Sequence, residues 1–425
     1  MKEDLLARVW RSRMLRGREL STVGGGRLQV IHPGRANSEG GPDFHHAIID
    51  IKGSGLLRGD VEIHTMSSQW RIHGHHGDPG YNGVILHVVM WHDKERPTVL
   101  QSGKSVPVLP LSPYLELPPE GMERFSSLLA DYDQPCHDLR ARLGDGGMGE
   151  LLDKAGEERF RSKAAFFQEE LAIKEGDQAL YEGLMRALGY SKNKEPFEEL
   201  ARRLPLRVLK GIARRETAER RGPLLQRALL EAAGLFPPSL GDINPMREAE
   251  WHLSGVRPCN MPQLRIAGAG YLLARYLERG LVAGVLRLVG EADVERGHES
   301  LEQGVITRGS KGTLIGRGRA REIVVNVLLP FSFAWAERAG QGELSDHGLE
   351  LYRSYPRLEE NQITREMSRQ LFGEEGWKVV RSAQRQQGLI HLYKSLCLEG
   401  RCPQCPLGDW RSGQAEVGRY IEVPA

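Results

Sequence analysis

The period of the apolar positions changes once along the chain. Between residues 27 and 109 apolar and polar residues alternate in short runs, the pattern of β-strands. Past Pro118 they recur at helical spacing in a Leu/Arg/Glu-rich background. The first region opens on a helix over residues 4–15, with Leu6, Val9, Trp10 and Met14 on one face. Strands are predicted over 27–31, 44–52, 56–66, 84–91 and, more weakly, 105–109, with a hairpin turn at Gly53-Ser54-Gly55. Residues 1–118 therefore read as an α+β domain with a mixed or antiparallel sheet. A mainly α-helical region follows, divided into 119–300 and a helical C-terminal region over 301–425. Within the latter, residues 309–320 are Gly-rich and basic and read as a loop.

Alternation assigns the polar residues of the second hairpin strand to faces. Asp60, Glu62 and His64 share one face, and Val61, Ile63 and Thr65 the other. Folding about Ser54 places Asp43 opposite residues 64–66, within a pairing position or two of Glu62. Two carboxylates and an imidazole at the open end of a hairpin suit a hard divalent cation such as Mg²⁺ or Mn²⁺. The plain alternative is a solvated strand face with Asp43 capping a turn. His73, His75 and His76 follow at once, placed either to contact phosphate or metal or to bond backbone in a polar loop. His87, among Val, Ile and Leu, reads as a core imidazole paired to a neighbour.

Pro42-Asp43 followed by Glu62-Ile63-His64 resembles the PD-(D/E)xK nuclease superfamily. His64 stands where that superfamily carries the lysine that orients or deprotonates water. A histidine can do this with a different pKa. The resemblance implies catalytic roles for Asp43, Glu62 and His64, with Asp43 and Glu62 as metal ligands and a helical acid at Glu3 or Glu19. Asp50-Ile51-Lys52 has the right letters but shares a strand with Asp43. His73-x-His75 begins the HxHxDH pattern of metallo-β-lactamase-like hydrolases, but Gly77 falls where its Asp belongs. A cupin pattern fails because no Glu follows.

Composition narrows this picture without deciding it. Apolar residues make up 40% and charged residues 27%, ordinary for a globular protein. Lys+Arg 58 against Asp+Glu 56 gives no bulk charge for nucleic acid, so DNA or RNA binding needs a local basic face. One such face is Arg202, Arg203, Lys210, Arg214 and Arg215; a second is Lys311, Arg317, Arg319 and Arg321. Either is equally a solvated helix or loop surface. The most apolar run, residues 323–336, is too short and interrupted to span a membrane.

Five cysteines and no secretory leader predict a reducing cytoplasm. Cys397, Cys402 and Cys405 form a C-x4-C-x2-C trio, which points to zinc or an iron–sulfur cluster. A fourth ligand would come from Cys136, Cys259 or His391. The layout with Cys136 resembles that of some iron–sulfur nucleases of the same superfamily, although the spacing differs. Unligated buried thiols are the alternative.

Five strings in order resemble a bacterial family of unknown function, domain-of-unknown-function family 2851. They are HPGRANSEGGPDF, GDVEIHTMSSQWRIHGHHGDPGYNGVILHVV, ALGYSKNKEPFEELA, RPCNMPQLRIAGAGYLL and QQGLIHLYKSLCLEGRCPQCPLG. The resemblance implies one architecture and no activity. From the residues, the expected chemistry is metal-dependent phosphodiester hydrolysis on DNA or RNA. The competing expectations are a non-catalytic nucleic-acid or protein-binding module with a structural cysteine–metal site, and a metal hydrolase of small molecules.

Overall fold

The computed structural model describes residues 3–12, 15, 19–37, 40–52, 55–94, 96–115, 138–190, 192–214, 216–237, 244–253, 256, 258–310, 312–398, 401 and 405. The chain forms two compact units. Unit 1 comprises Met1–Leu152, Glu360–Val380 and Leu389–Ala425; unit 2 comprises Asp153–Glu359 and Arg381–Gly388.

Unit 1 is built on a mixed sheet. Its strands are β1 (Leu20–Ser21), β2 (Arg27–His32), β3 (Arg35–Ala36), β4 (Phe44–Ile51), β5 (Gly55–Met66), β6 (Val84–Trp91) and, after the short β7 (Thr98–Val99) and β8 (Ser105–Val106), β9 (Val108–Pro110). The order is β1-β2-β4-β5-β6-β9, with β3 also on β4; β7 and β8 pair separately. β4 and β5 are antiparallel, whereas β6 lies parallel to both β5 and β9. The helix α1 (Glu3–Arg11) buries Leu5, Leu6, Val9 and Trp10 in one apolar cluster with Val61 and Ile63. A smaller cluster of Trp70, Tyr81, Val84, Leu100 and Val106 lies beside Glu62 and His64, the residues that alternate with Val61 and Ile63.

The pairing of β4 with β5 contains a bulge. Ala47 pairs Gly59, but Phe44 pairs Val61, so one extra residue is spent at His45–His46. His46 takes φ 59°, left-handed for a non-glycine residue. The hairpin, with Asp43 within a pairing position or two of Glu62, was expected; the bulge was not. Without the bulge Asp43 would face Ile63. With it, Asp43 falls opposite Glu62 and shares its face. Asp60 braces the irregularity: its Oδ1 accepts from the His46 backbone N–H at 3.2 Å and lies 3.1 Å from His45 Nδ1. Asp60 therefore serves the bulge, although parity alone grouped it with Glu62 and His64.

Unit 2 is mainly helical, and its core joins Phe160, Phe167, Tyr181, Phe331 and Tyr355. Residues 309–320, expected as a loop, instead hold the second strand of a hairpin (Thr307–Gly309 with Gly312–Ile315) and the start of the helix Arg317–Ile323. The apolar run from residue 323 is helical, passing through a π-helical turn, Val324–Leu328. No described helix is long and apolar enough to cross a membrane.

Candidate metal centre

Glu62 and His64 sit on β5, where their side chains point away from the α1 cluster. Both are almost wholly enclosed, at 5% and 1% exposure. After β5 the chain makes a short helix, α2 (Gln69–Ile72), then a turn at Gly74 (φ 79°) and a single 3₁₀ turn, His75–Gly77. This fold-back returns His73 and His75 to His64. One ring nitrogen from each of the three imidazoles lies within 4.8 Å of the others. His64 Nε2 is 3.1 Å from His73 Nδ1, and Glu62 Oε1 lies 3.1 Å from His75 Nε2 and 3.6 Å from His64 Nε2.

The surroundings fix the imidazole orientations. His64 Nδ1 is 2.9 Å from His87 Nε2, and His87 Nδ1 is 2.9 Å from Thr98 Oγ1. Two tautomer assignments, opposite in direction, satisfy this row, and one of them suits a metal. In that one His87 Nδ1–H donates to Thr98, and His64 Nδ1–H donates to His87 Nε2. His64 Nε2 then keeps its lone pair toward the cluster. Trp70, anchored by Nε1–H donating to the Val99 carbonyl at 3.1 Å, has its ring 5.4 Å from His75 and 5.3 Å from His87. His75 stacks on Tyr81 at 3.9 Å.

The two acids hold each other through backbone. The Asp43 N–H donates to Glu62 Oε2 at 3.0 Å, and the Ile63 N–H donates to Asp43 Oδ2 at 2.9 Å. Burial, with the Asp43 charge second, raises the Glu62 pKa to about 8. Burial also raises Asp43, with Glu3 and Asp4 of α1 adding to the effect. Burial lowers His64 to about 2 and His87 to about 3, in both cases reinforced by neighbouring imidazoles. Without an ion, burial thus favours the neutral forms of Asp43, Glu62, His64 and His87, and a neutral imidazole offers a lone pair.

Of the residues singled out from sequence, Asp43, Glu62, His64, His73 and His75 come together. The grouping differs from the expected clasp of Asp43, Glu62 and His64, because the mutually close donors are the three imidazoles. His76 is exposed and outside the group. Glu3 acts on both acids and accepts from Gln69 Nε2 at 3.2 Å, whereas Glu19 pairs with Arg27. His87 is a buried imidazole paired to neighbours, as its sequence context suggests. Thr98, Trp70 and Tyr81 carried no sequence signal, since each acts only through a spatial neighbour.

The basic stretch is largely neutralised by carboxylates. Arg202 pairs with Glu198, Arg203 with Glu199 and Glu250, and Lys210 with Asp177. Arg214 is exposed on its helix end, and Arg215 lies outside the described residues. In the second basic set, Arg317 and Arg321 both reach Glu302, and Lys311 lies outside the described residues. Cys397 and Cys405 are buried in unit 1, while Cys136, Cys402 and the Cys259 side chain lie outside what is described.

A family model described as a protein of unknown function (DUF2851) matches residues 3–289. No curated protein and no solved structure matches the chain.

Proposed function

We propose that this chain, which belongs to the DUF2851 family, binds one divalent transition metal on His64, His73 and His75 and uses it for hydrolysis of a phosphodiester in DNA or RNA. The observation that carries the reading is the convergence of three imidazole nitrogens beside the Glu62 carboxylate. Imidazole donors suit zinc, and also iron, better than magnesium or manganese, which select oxygen. Three histidines with a fourth position open match the donor set of hydrolytic zinc. The ion would act as a Lewis acid and lower the pKa of water.

This proposal exchanges the roles expected from sequence. The histidines become ligands, and Glu62, 3.1 Å from His75 Nε2, becomes the group that takes the proton from water. Asp43 positions Glu62 through the paired backbone hydrogen bonds. His87 and Thr98 hold His64 in the binding tautomer. The superfamily resemblance of Asp43 and Glu62 supports a phosphodiester substrate. So does a cavity of about 440 Å³ beside Trp70 and Thr98, into which Arg71, Lys94 and Arg96 bring positive charge.

The test combines metal content with turnover. Full-length protein loaded with zinc is expected to retain about one equivalent after gel filtration and to cleave a labelled oligonucleotide. Glu62→Gln should keep the metal and lose cleavage. His73→Ala should lose both. Metal-loaded protein that cleaves neither DNA nor RNA would leave a binding module as the better description.

A further inference from the structure

Unit 2 contains a second cluster of charged side chains, around the π-helical turn Val324–Leu328. Such turns recur at functional sites. Asn326, on that turn, donates from Nδ2 to the Glu322 carbonyl at 2.8 Å and to Glu322 Oε2 at 3.0 Å, and its Oδ1 accepts from Lys163. Gln387 Oε1 accepts from Lys163 Nζ at 3.0 Å and from Arg159 Nε at 2.8 Å. Two neutral amide oxygens therefore receive the N–H groups of two cations.

Arg159 is the informative member. It is half-buried, yet no carboxylate among the described residues lies within ion-pair distance, and Nη1 and Nη2 carry no hydrogen bond among those residues. Burying a charge without a counter-ion is costly. Nearby, the Arg319 guanidinium stands 3.7 Å over the ring of Tyr190. Tyr190 is held at φ 59°, a conformation that persists for a bulky residue only where its surroundings impose it. Lys194 completes the set and is held below its usual range, by burial first and by Arg186, Arg159 and Arg319 as well.

Glu322 lies among Arg159, Lys163 and Arg319, with Glu359 beside it, and Glu195 acts on Lys194. Arg186 pairs with Glu195 and Glu198. Arg159, Lys163, Lys194, Arg319 and Arg186 outnumber Glu322, Glu359, Glu195 and Glu198, so the cluster keeps a net positive charge, as a phosphate group requires. An exposed tyrosine ring beside the arginine fork offers a flat surface to whatever carries that phosphate.

We infer that unit 2 binds a phosphate group at this cluster, through the Nη atoms of Arg159 together with Lys163 and Arg319. The site is independent of the imidazole centre.

The test is calorimetric titration of the full-length protein with inorganic pyrophosphate in a phosphate-free buffer. Saturable binding is expected, and sodium chloride at matched ionic strength should not reproduce it. Lys163→Met and Arg319→Gln should each weaken it about tenfold or more, the loss of one charge-assisted contact, with circular dichroism and melting temperature retained. If Lys163→Met does not fold, Arg319→Gln, whose partner ring is exposed, carries the comparison. A short single-stranded oligonucleotide that displaces pyrophosphate would identify the phosphate as part of a nucleic-acid backbone. Failure to displace would identify a small phosphorylated ligand. Absence of saturable binding, or equal affinity in the folded variants, would overturn the inference.

Discussion

His64 Nδ1 and His87 Nε2 lie 2.9 Å apart, the first link of a row that ends on Thr98. The link decides which nitrogen of His64 faces His73 and His75. Replacing His87 by Phe removes the acceptor while keeping an aromatic ring in the core. Zinc affinity is expected to fall about ten- to a hundred-fold, measured by competition with a chromogenic chelator. An unchanged affinity would mean that His64 is oriented without this partner.

The bulge at His45–His46 gives a second prediction. His46 occupies a left-handed conformation that glycine tolerates and β-branched residues do not. His46→Val should destabilise the protein by about 1–3 kcal/mol in urea unfolding, and His46→Gly should be nearly neutral. The valine variant should also lose metal-dependent hydrolysis, because straightening β4 returns Asp43 to the opposite face. Equal stability of the two variants would contradict the strained geometry.

The buried site should make the metal-free protein sensitive to pH in opposite senses. The pKa of Glu62 is raised from 4.5 to about 8, so its neutral form is favoured by folding and its contribution is lost as pH rises through that window. His64 and His87 are lowered from 6.5 to about 2 and about 3, so their contribution is present above 6.5 and lost as pH falls. Stability is expected to rise up to about pH 6.5 and then decline toward pH 8. Denaturant midpoints of Glu62→Gln should show the decline reduced; a decline of wild-type size would refute its assignment to Glu62.

At Gly59 there is no room for a side chain between β5 and the start of β6. A Cβ there would sit 2.3 Å from Ile85 Cγ2 and 2.7 Å from the Gly83 carbonyl oxygen. Gly59→Ala should therefore cost about 1–3 kcal/mol, read as a lowered denaturant midpoint. A midpoint matching wild type would show that the two strands can part there without penalty.

Much of unit 1 is legible in short-range pattern. Alternation over residues 27–109 locates the strands, and parity alone places Glu62 and His64 opposite Val61 and Ile63. The density of His, Asp and Glu between residues 40 and 93 marks the region that carries the centre. These features follow from side-chain order along one strand, which the chain specifies locally.

The composition of the site was decided by tertiary structure. One extra residue at His45–His46 reverses the face of Asp43, and period-2 patterning does not encode such a slip. Parallel addition of β6 brings His87 to His64, a pairing between strands joined by a crossover. The left-handed turn at Gly74 folds His73 and His75 back onto β5, and so makes imidazoles the mutually close donors. In unit 2, Arg159, Lys163, Asn326 and Gln387 meet from helices up to 228 residues apart, a distance over which no local pattern carries information. Local order therefore determined the faces of Val61, Glu62, Ile63 and His64; the bulge set the face of Asp43, and register and crossover determined which side chains meet.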